Sequence, residues 1–392
     1  MKARKIKDDV YYIGAVDWDR RLFDALIPLP DGTTYNSYIV KGSEKTVLLD
    51  GVDPAKLETL LEQLSDYPEI DYVVAHHAEQ DHSGAIPAVL EKYKNAKLIT
   101  SSKGKGMMMD LLHIDESRFK TVEDYETLSL GNKTLRFIYT PWVHWPETMV
   151  SYLEEDRILF SCDFFGSHYS SNAIYAEEKD KVYLAAKRYY AEIMMPYANH
   201  VAKDIEKVQD LKIDIIAPSH GPLHNDPKFI IDAYKDWVSG KPKNLAVIPY
   251  ISRHGSTAKL VDRLMTSLTE NKINAEQFDL TSVDLGKLAM SLVDAATIIV
   301  GTPTVLSGPH PNALYAVALA NALKPKARFV SLVGSYGWGT KIAEQIAGML
   351  SNLKVEIIDP VICKGLPRES DLAAVDSLAA KIAEKHKEAG LI

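Results

Sequence analysis

Cysteine is nearly missing from this 392-residue chain: there are two, Cys162 and Cys363, far apart in sequence. Two such residues exclude a disulfide framework, a Cys-x-x-Cys zinc site and a cysteine-ligated iron–sulfur cluster. Any metal must therefore be held mainly by His, Asp and Glu. Positive charge is not in excess either: 45 Lys and Arg stand against 53 Asp and Glu, a formal net charge of −8. That balance argues against a nucleic-acid binder and against a polybasic membrane surface. Long apolar runs are lacking too, and each falls short of the ~20 residues of a membrane helix. The start, Met1 to Asp9, is basic but has no apolar run behind it, so no leader is read and a soluble, cytoplasmic protein is expected. What is present is enough Ile, Val and Leu, within 46% hydrophobic residues, to exclude wholesale disorder. The length suggests two or three domains, each with its own core.

Two halves differ in pattern. From Val10 to Phe160, short β-rich runs such as Val10–Gly14, Thr46–Asp50, Tyr72–His76 and Ala96–Thr100 alternate with turns, with helical spacing over Pro54–Leu64 and Ala85–Tyr93. A helical stretch around Lys181–Met195, a strand Leu211–Ala217 and a helix Pro227–Val238 follow. Trp237–Lys243 then reads as a linker, with Gly, Pro and charge but no periodicity. Beyond it strands and helices alternate strictly, which reads as a doubly wound parallel sheet. The expected domains are 1–242 and 243–392.

The densest chemical feature is His77-Ala78-Glu79-Gln80-Asp81-His82, directly after the strand Tyr72–His76. A solvated polar turn is the lesser reading of the run taken alone, since polar loops are common. His144, Asp163 and His220 each follow a strand as well, and each alone is an ordinary polar residue. Together the four strand-end segments supply four imidazoles and three carboxylates. One tetrahedral zinc takes four ligands, so this set suits two metals sharing a carboxylate. The N and O donors fit iron or manganese as well as zinc.

The second half carries a different constellation. Strand Leu245–Tyr250 runs into Ser252-Arg253-His254-Gly255-Ser256-Thr257 and then a helix. Hydroxyls and backbone N–H groups at a helix start form a cradle for a phosphate monoester. No GxGxxG is present, so a dinucleotide is not favoured. Two further loops follow strands: Thr302-Pro303-Thr304-Val305-Leu306-Ser307 and Gly334-Ser335-Tyr336-Gly337-Trp338-Gly339. Aromatics between glycines suit a flat ring to stack on, and open α/β sheets bind ligands at these strand ends. The pattern is similar to flavodoxin, which implies FMN.

The HxExDH run with His144, Asp163 and His220 resembles the metallo-β-lactamase fold, an αββα sandwich with metals at one edge. Hydrolases of that fold usually have His where Glu79 stands. With Glu79, the Thr-Pro-Trp-Val-His-Trp-Pro context of His144 and a flavodoxin-like sheet behind, the whole chain resembles the flavodiiron proteins. The resemblance implies a diiron centre: His77, Glu79 and His144 on one iron, Asp81, His82 and His220 on the other, Asp163 bridging. It also implies FMN held by Ser252–Thr257, Pro303–Leu306 and Ser335–Gly339. It implies reduction of O2 to water, of NO to N2O, or both, as a scavenging activity in an anaerobe. The implied donor is a separate rubredoxin or, in some relatives, a reduced deazaflavin. The implied assembly is a head-to-tail homodimer or a dimer of dimers. Asp24 stands where many members carry a pocket histidine, which leaves the choice between O2 and NO open, and His168 is a second pocket candidate. The other histidines are read as non-ligands of metal. Two further readings remain: a dinuclear zinc hydrolase fused to a flavodoxin-like domain, and an electron-transfer module with a vestigial metal site.

Overall fold

In strands that are buried on both faces, successive side chains feed two different cores. Ile39, Leu48, Val73 and Leu98 point to one core, where they meet Leu60, Leu64, Ile86, Val89, Leu90 and Met108 from the flanking helices. Their neighbours Val40, Leu49, Val74 and Ile99 point to the other, against Leu135, Phe137, Met149, Leu153, Phe160 and Ala217 of a second sheet. The first sheet has seven strands, in the order Arg4–Lys7, Val10–Asp17, Thr33–Lys41, Thr46–Leu49, Tyr72–Val74, Lys97–Ser101 and Phe119–Val122. The second has five: Thr127–Ser129, Thr134–Tyr139, Met149–Leu153, Ile158–Cys162 and Ile215–Pro218. Two packed sheets with helices outside make the αββα sandwich. The computed structural model describes residues 2–392.

The second unit is a mostly parallel sheet in the order Asn274–Asp279, Leu245–Tyr250, Thr297–Val305, Phe329–Tyr336 and Glu356–Ile357, with Val361–Lys364 also paired to Phe329–Tyr336. The order reverses between Leu245–Tyr250 and Thr297–Val305, which is where such sheets take ligands. Helices Ser256–Glu270 and Glu369–Glu388 cover one face, with Leu260, Leu264, Leu268, Leu378 and Ile382 in its core.

The chain divides into two compact units, one holding the residues up to Tyr190 with Tyr197–Val238, the other Ala191–Pro196 with Ser239–Ile392. The division thus follows Val238 rather than Pro242. Val238 ends the helix Pro227–Val238, whereas Lys243 already donates its backbone N–H to Asp294 O (2.8 Å) inside the second unit. Three local expectations also need correction. The strand Thr297–Val305 runs through the stretch read as a loop from Thr302, because Thr304 and Val305 pair back on Pro309 and Gly308. Helices at Ser102–Leu112 and Leu285–Leu292 occupy segments to which no helix was assigned. Among the described residues no helix is long and apolar enough to cross a membrane.

Candidate functional site

Each of the four segments flagged in the first half emerges from the end of a strand, and the structure brings all seven side chains together. His77, Glu79, His144 and Asp163 offer ligand atoms within 4.8 Å of one another, and so do Asp81, His82 and His220. Asp163 faces both sets. Its Oδ2 lies 3.6 Å from His77 Nε2 and 3.3 Å from His144 Nε2, while its Oδ1 lies 3.0 Å from His82 Nε2 and 3.4 Å from His220 Nε2. Glu79 Oε2 is 3.1 Å from both His77 Nε2 and His144 Nε2, and Asp81 Oδ2 is 3.0 Å from His220 Nε2.

The imidazoles are aimed by their outer nitrogens. His77 Nδ1 sits 2.8 Å from Glu147 Oε1, and a carboxylate only accepts, so Nδ1 carries a hydrogen and Nε2 is the nitrogen turned to the centre. Likewise His220 Nδ1–H donates to the carbonyl of Thr34 (2.7 Å), again freeing Nε2. The His220 loop is fastened by Asn36, whose Nδ2 donates to Pro218 O (2.7 Å) and Gly221 O (2.8 Å). His76, beside His77, turns the other way: its Nδ1–H donates to Asp50 (2.7 Å) and its Nε2 meets Ser151 Oγ (2.8 Å), leaving nothing for a metal.

The donor chemistry fits a pair of cations. Both oxygens of Asp81, both of Asp163 and Nε2 of His82 are buried without a hydrogen bond. Buried polar atoms are nearly always paired, so donors crowded together yet unbonded point their lone pairs at a common centre. The electrostatics agree. Burial works against charge on Asp163, but His82 and the other imidazoles hold its carboxyl far below the usual range. Burial also works against a charged His82, yet Asp163 and Asp81 push it up to about 10. A field that strong in favour of positive charge is the field that retains a metal ion.

The two pocket candidates lie beside this centre. His168 is buried, with Nδ1 2.9 Å from Thr33 Oγ1 and its ring 4.9 Å from that of His220. Asp24, at the tip of the hairpin formed by Leu22–Phe23 and Ile27–Pro28, has its carboxyl pushed up to about 6 by burial and by Glu79. Sequence reasoning missed Glu147, Cys162 and Tyr189. Cys162 Sγ lies with His82 and Asp163 in a third group, but burial pushes its thiol well up, so it stays a neutral, weak donor. The ring of Tyr189 is 4.9 Å from His168 and 6.0 Å from His220. Only the run Glu147-Thr148 after His144 offered any signal, since a carboxylate near a ligating histidine is a frequent partner.

In the second unit the three flagged loops sit at one edge of the sheet. Gly255 adopts φ +86° and opens the helix Ser256–Glu270, and Ser252 Oγ is buried there without a partner. Thr257 Oγ1 is 3.4 Å from Ser335 Oγ, and Pro303 pairs with Ser335 in the ladder. Leu306 is 98% and Trp338 93% exposed on these loops, whereas Tyr336 is half-buried. Arg253, His254, Gly337 and Gly339 lie on the same loops, in the open.

A sandwich with a shared-carboxylate double ligand set, followed by a flavodoxin-like sheet, defines a two-module redox architecture. The family described as "ODP family beta lactamase" matches residues 33–221. A nitric oxide reductase of Moorella thermoacetica is 33% identical, over 97% of this chain and 98% of its own. A flavo-diiron protein of Clostridium acetobutylicum is 30% identical over 95% and 96%. The solved structure of rubredoxin oxygen:oxidoreductase from the anaerobe Desulfovibrio gigas superposes with a TM-score of 0.96 at 31% identity, covering all of both chains. The chain belongs to the flavodiiron protein family.

Proposed function

We propose that this protein takes electrons from a rubredoxin-type donor through FMN to a diiron centre, and there reduces O2 to water, NO to N2O, or both. The observation that carries the reading is the Asp163 carboxylate, with one oxygen toward each ligand set. In this reading His77, Glu79 and His144 would hold one iron and Asp81, His82 and His220 the other. When bound, the iron pair and the flavin supply one-electron redox chemistry and together store the four electrons that O2 reduction consumes. The chain's own residues set the conditions. Glu147 and the Thr34 carbonyl fix which imidazole nitrogen faces inward. Glu79, in place of a neutral histidine, adds negative charge that favours the ferric state, suiting redox cycling better than hydrolysis. Ser252, Ser256 and Thr257 with the helix start would hold the FMN phosphate, flanked by Arg253, His254 and Gly255. Pro303, Thr304, Val305 and Leu306 with Ser335, Tyr336, Gly337, Trp338 and Gly339 would enclose the ring.

A head-to-tail homodimer belongs to the same reading, with the exposed Leu306 and Trp338 of one copy covered by the metal-bearing unit of the next. Two buried free cysteines and no disulfide accord with a cytoplasmic setting. The test is metal and flavin analysis followed by anaerobic reduction with rubredoxin and parallel measurement of O2 and NO consumption. Two irons and one FMN per chain with turnover of either gas are expected. Zinc without redox activity would support the hydrolase reading instead, and full activity in Glu79→Ala would count against the ligand assignment.

A further inference from the structure

A column of aromatic rings, oxidisable at its outer end, leads away from the metal-bearing edge to the surface, within the first unit. Its inner end is Tyr189, beside His168 and His220, and Phe164, which directly follows Asp163 in the chain. Phe164 and Phe165 stack at 3.8 Å and pack on Tyr234 at 5.7 and 5.0 Å. Tyr234 meets Tyr190 at 5.5 Å and Trp237 at 5.1 Å, and Tyr190 meets Trp237 at 5.3 Å. Trp237 then meets Tyr183 at 5.5 Å, and its indole N–H donates to Tyr183 Oη (3.3 Å). Tyr190, Tyr234 and Trp237 are fully buried, whereas Tyr183 reaches the surface. The outer cluster of Tyr190, Tyr234, Trp237 and Tyr183 exceeds what packing needs, since Leu or Phe, as at Phe164 and Phe165, fills a core without polar atoms to satisfy.

Resting on the functional reading above, we propose that Trp237 and Tyr183 form an electron entry, by which oxidising equivalents leave the centre, that protects it when O2 arrives with too few electrons. An indole gives up an electron without first losing a proton, so Trp237 serves as the relay. Tyr234 does not hold the charge, because its Oη is buried with no acceptor for a proton. Tyr183 finally supplies the electron and releases its phenolic proton to bulk water. The resulting phenoxyl takes a hydrogen atom from a small thiol. With two donor electrons missing the balance is O2 + 2 e⁻ + 2 H⁺ + 2 RSH → 2 H2O + RSSR: two S–H bonds break, one S–S bond forms, and O2 is fully reduced.

The test uses the iron- and flavin-loaded full chain, reduced by two electrons, exposed to O2 without thiol, and read by freeze-quench EPR and mass-spectrometric mapping of oxidised residues. Wild-type protein is expected to show an aromatic radical and oxidation at Trp237 and Tyr183, lost from Tyr183 when a thiol is added. In Trp237→Phe, oxidation disappears from Tyr183 and shifts to Tyr189 and His168. The variant Tyr183→Phe, which keeps the ring against Trp237 and removes only the hydroxyl, stops oxidation at Trp237. Oxidation at Tyr183 that survives Trp237→Phe, or wild-type damage confined to the surroundings of the centre, overturns the proposal while the functional reading stands. A loaded chain that consumes no O2 overturns both.

Discussion

Glu147 contributes to the centre without belonging to it. Its Oε1 accepts from His77 Nδ1 (2.8 Å) and from the backbone N–H of Ala78 (2.9 Å), so one carboxylate fixes both the ring and the start of the ligand loop. Glu147→Ala leaves the His77 tautomer unspecified. Iron affinity is expected to fall by about 10–100-fold, the usual cost of losing such a partner. Competition with a chelator measures it, and an unchanged affinity would show that Glu147 does not orient His77 for metal. Asn36 is the second such residue. Asn36→Ala abandons two buried carbonyls, Pro218 and Gly221, and is expected to destabilise the first unit by roughly 1–3 kcal/mol. Urea denaturation followed by intrinsic fluorescence checks this.

At the scale of elements, the strand Val10–Asp17 depends on a glycine. Gly14 has φ +112°, and a Cβ there would lie 2.2 Å from the Tyr35 carbonyl oxygen. The helix Leu57–Gln63 locks the same point, since Gln63 both accepts from Gly14 N–H (2.7 Å) and donates to Gly14 O (3.0 Å). Gly14→Ala is therefore expected to cost about 2–4 kcal/mol by clash and by loss of the positive φ, visible as a lowered thermal midpoint. The clustering of the strand-end His, Asp and Glu side chains was legible because strand, turn and HxExDH spacing are all local. Glu147 was not, because its partner lies 70 positions away and no periodicity reports such a pairing. The helix Ser102–Leu112 escaped for a local reason: Gly104 and Gly106 weaken its propensity, and only Gly104 and Met108 are buried along it. The strand from Thr302 to Val305 escaped because its partner, Gly308–Pro309, is formed by the turn it creates.

For the molecule as a whole, acid is the informative perturbation. His224 in the first unit and His386 in the second are both buried, and burial lowers each to about 4. Burial is what keeps them neutral, for their partners only accept or could accept: His224 Nε2–H donates to Phe165 O (3.1 Å), while His386 lies between Thr297 Oγ1 (2.7 Å) and Asn244 Oδ1 (2.8 Å). Between pH 6.5 and 4 the unfolded chain binds protons that the folded chain refuses. The contribution of each ring is therefore complete above pH 6.5 and is lost as the pH falls toward 4. Both units are expected to lose stability over that window. In His386→Gln, melting of the second unit, followed by flavin release, is expected to lose part of its pH dependence.

The divided loyalty of Asp163 has a consequence for how the protein fills. The first cation to arrive would order a carboxylate that the second position also uses, and would leave the remaining carboxylate charge unanswered. Loading is then expected to be nearly all-or-none. Native mass spectrometry during iron titration should show chains with no metal and chains with two, and few between. A chelator should strip both together. Asp163→Asn should abolish this pairing and expose two separate, weaker affinities.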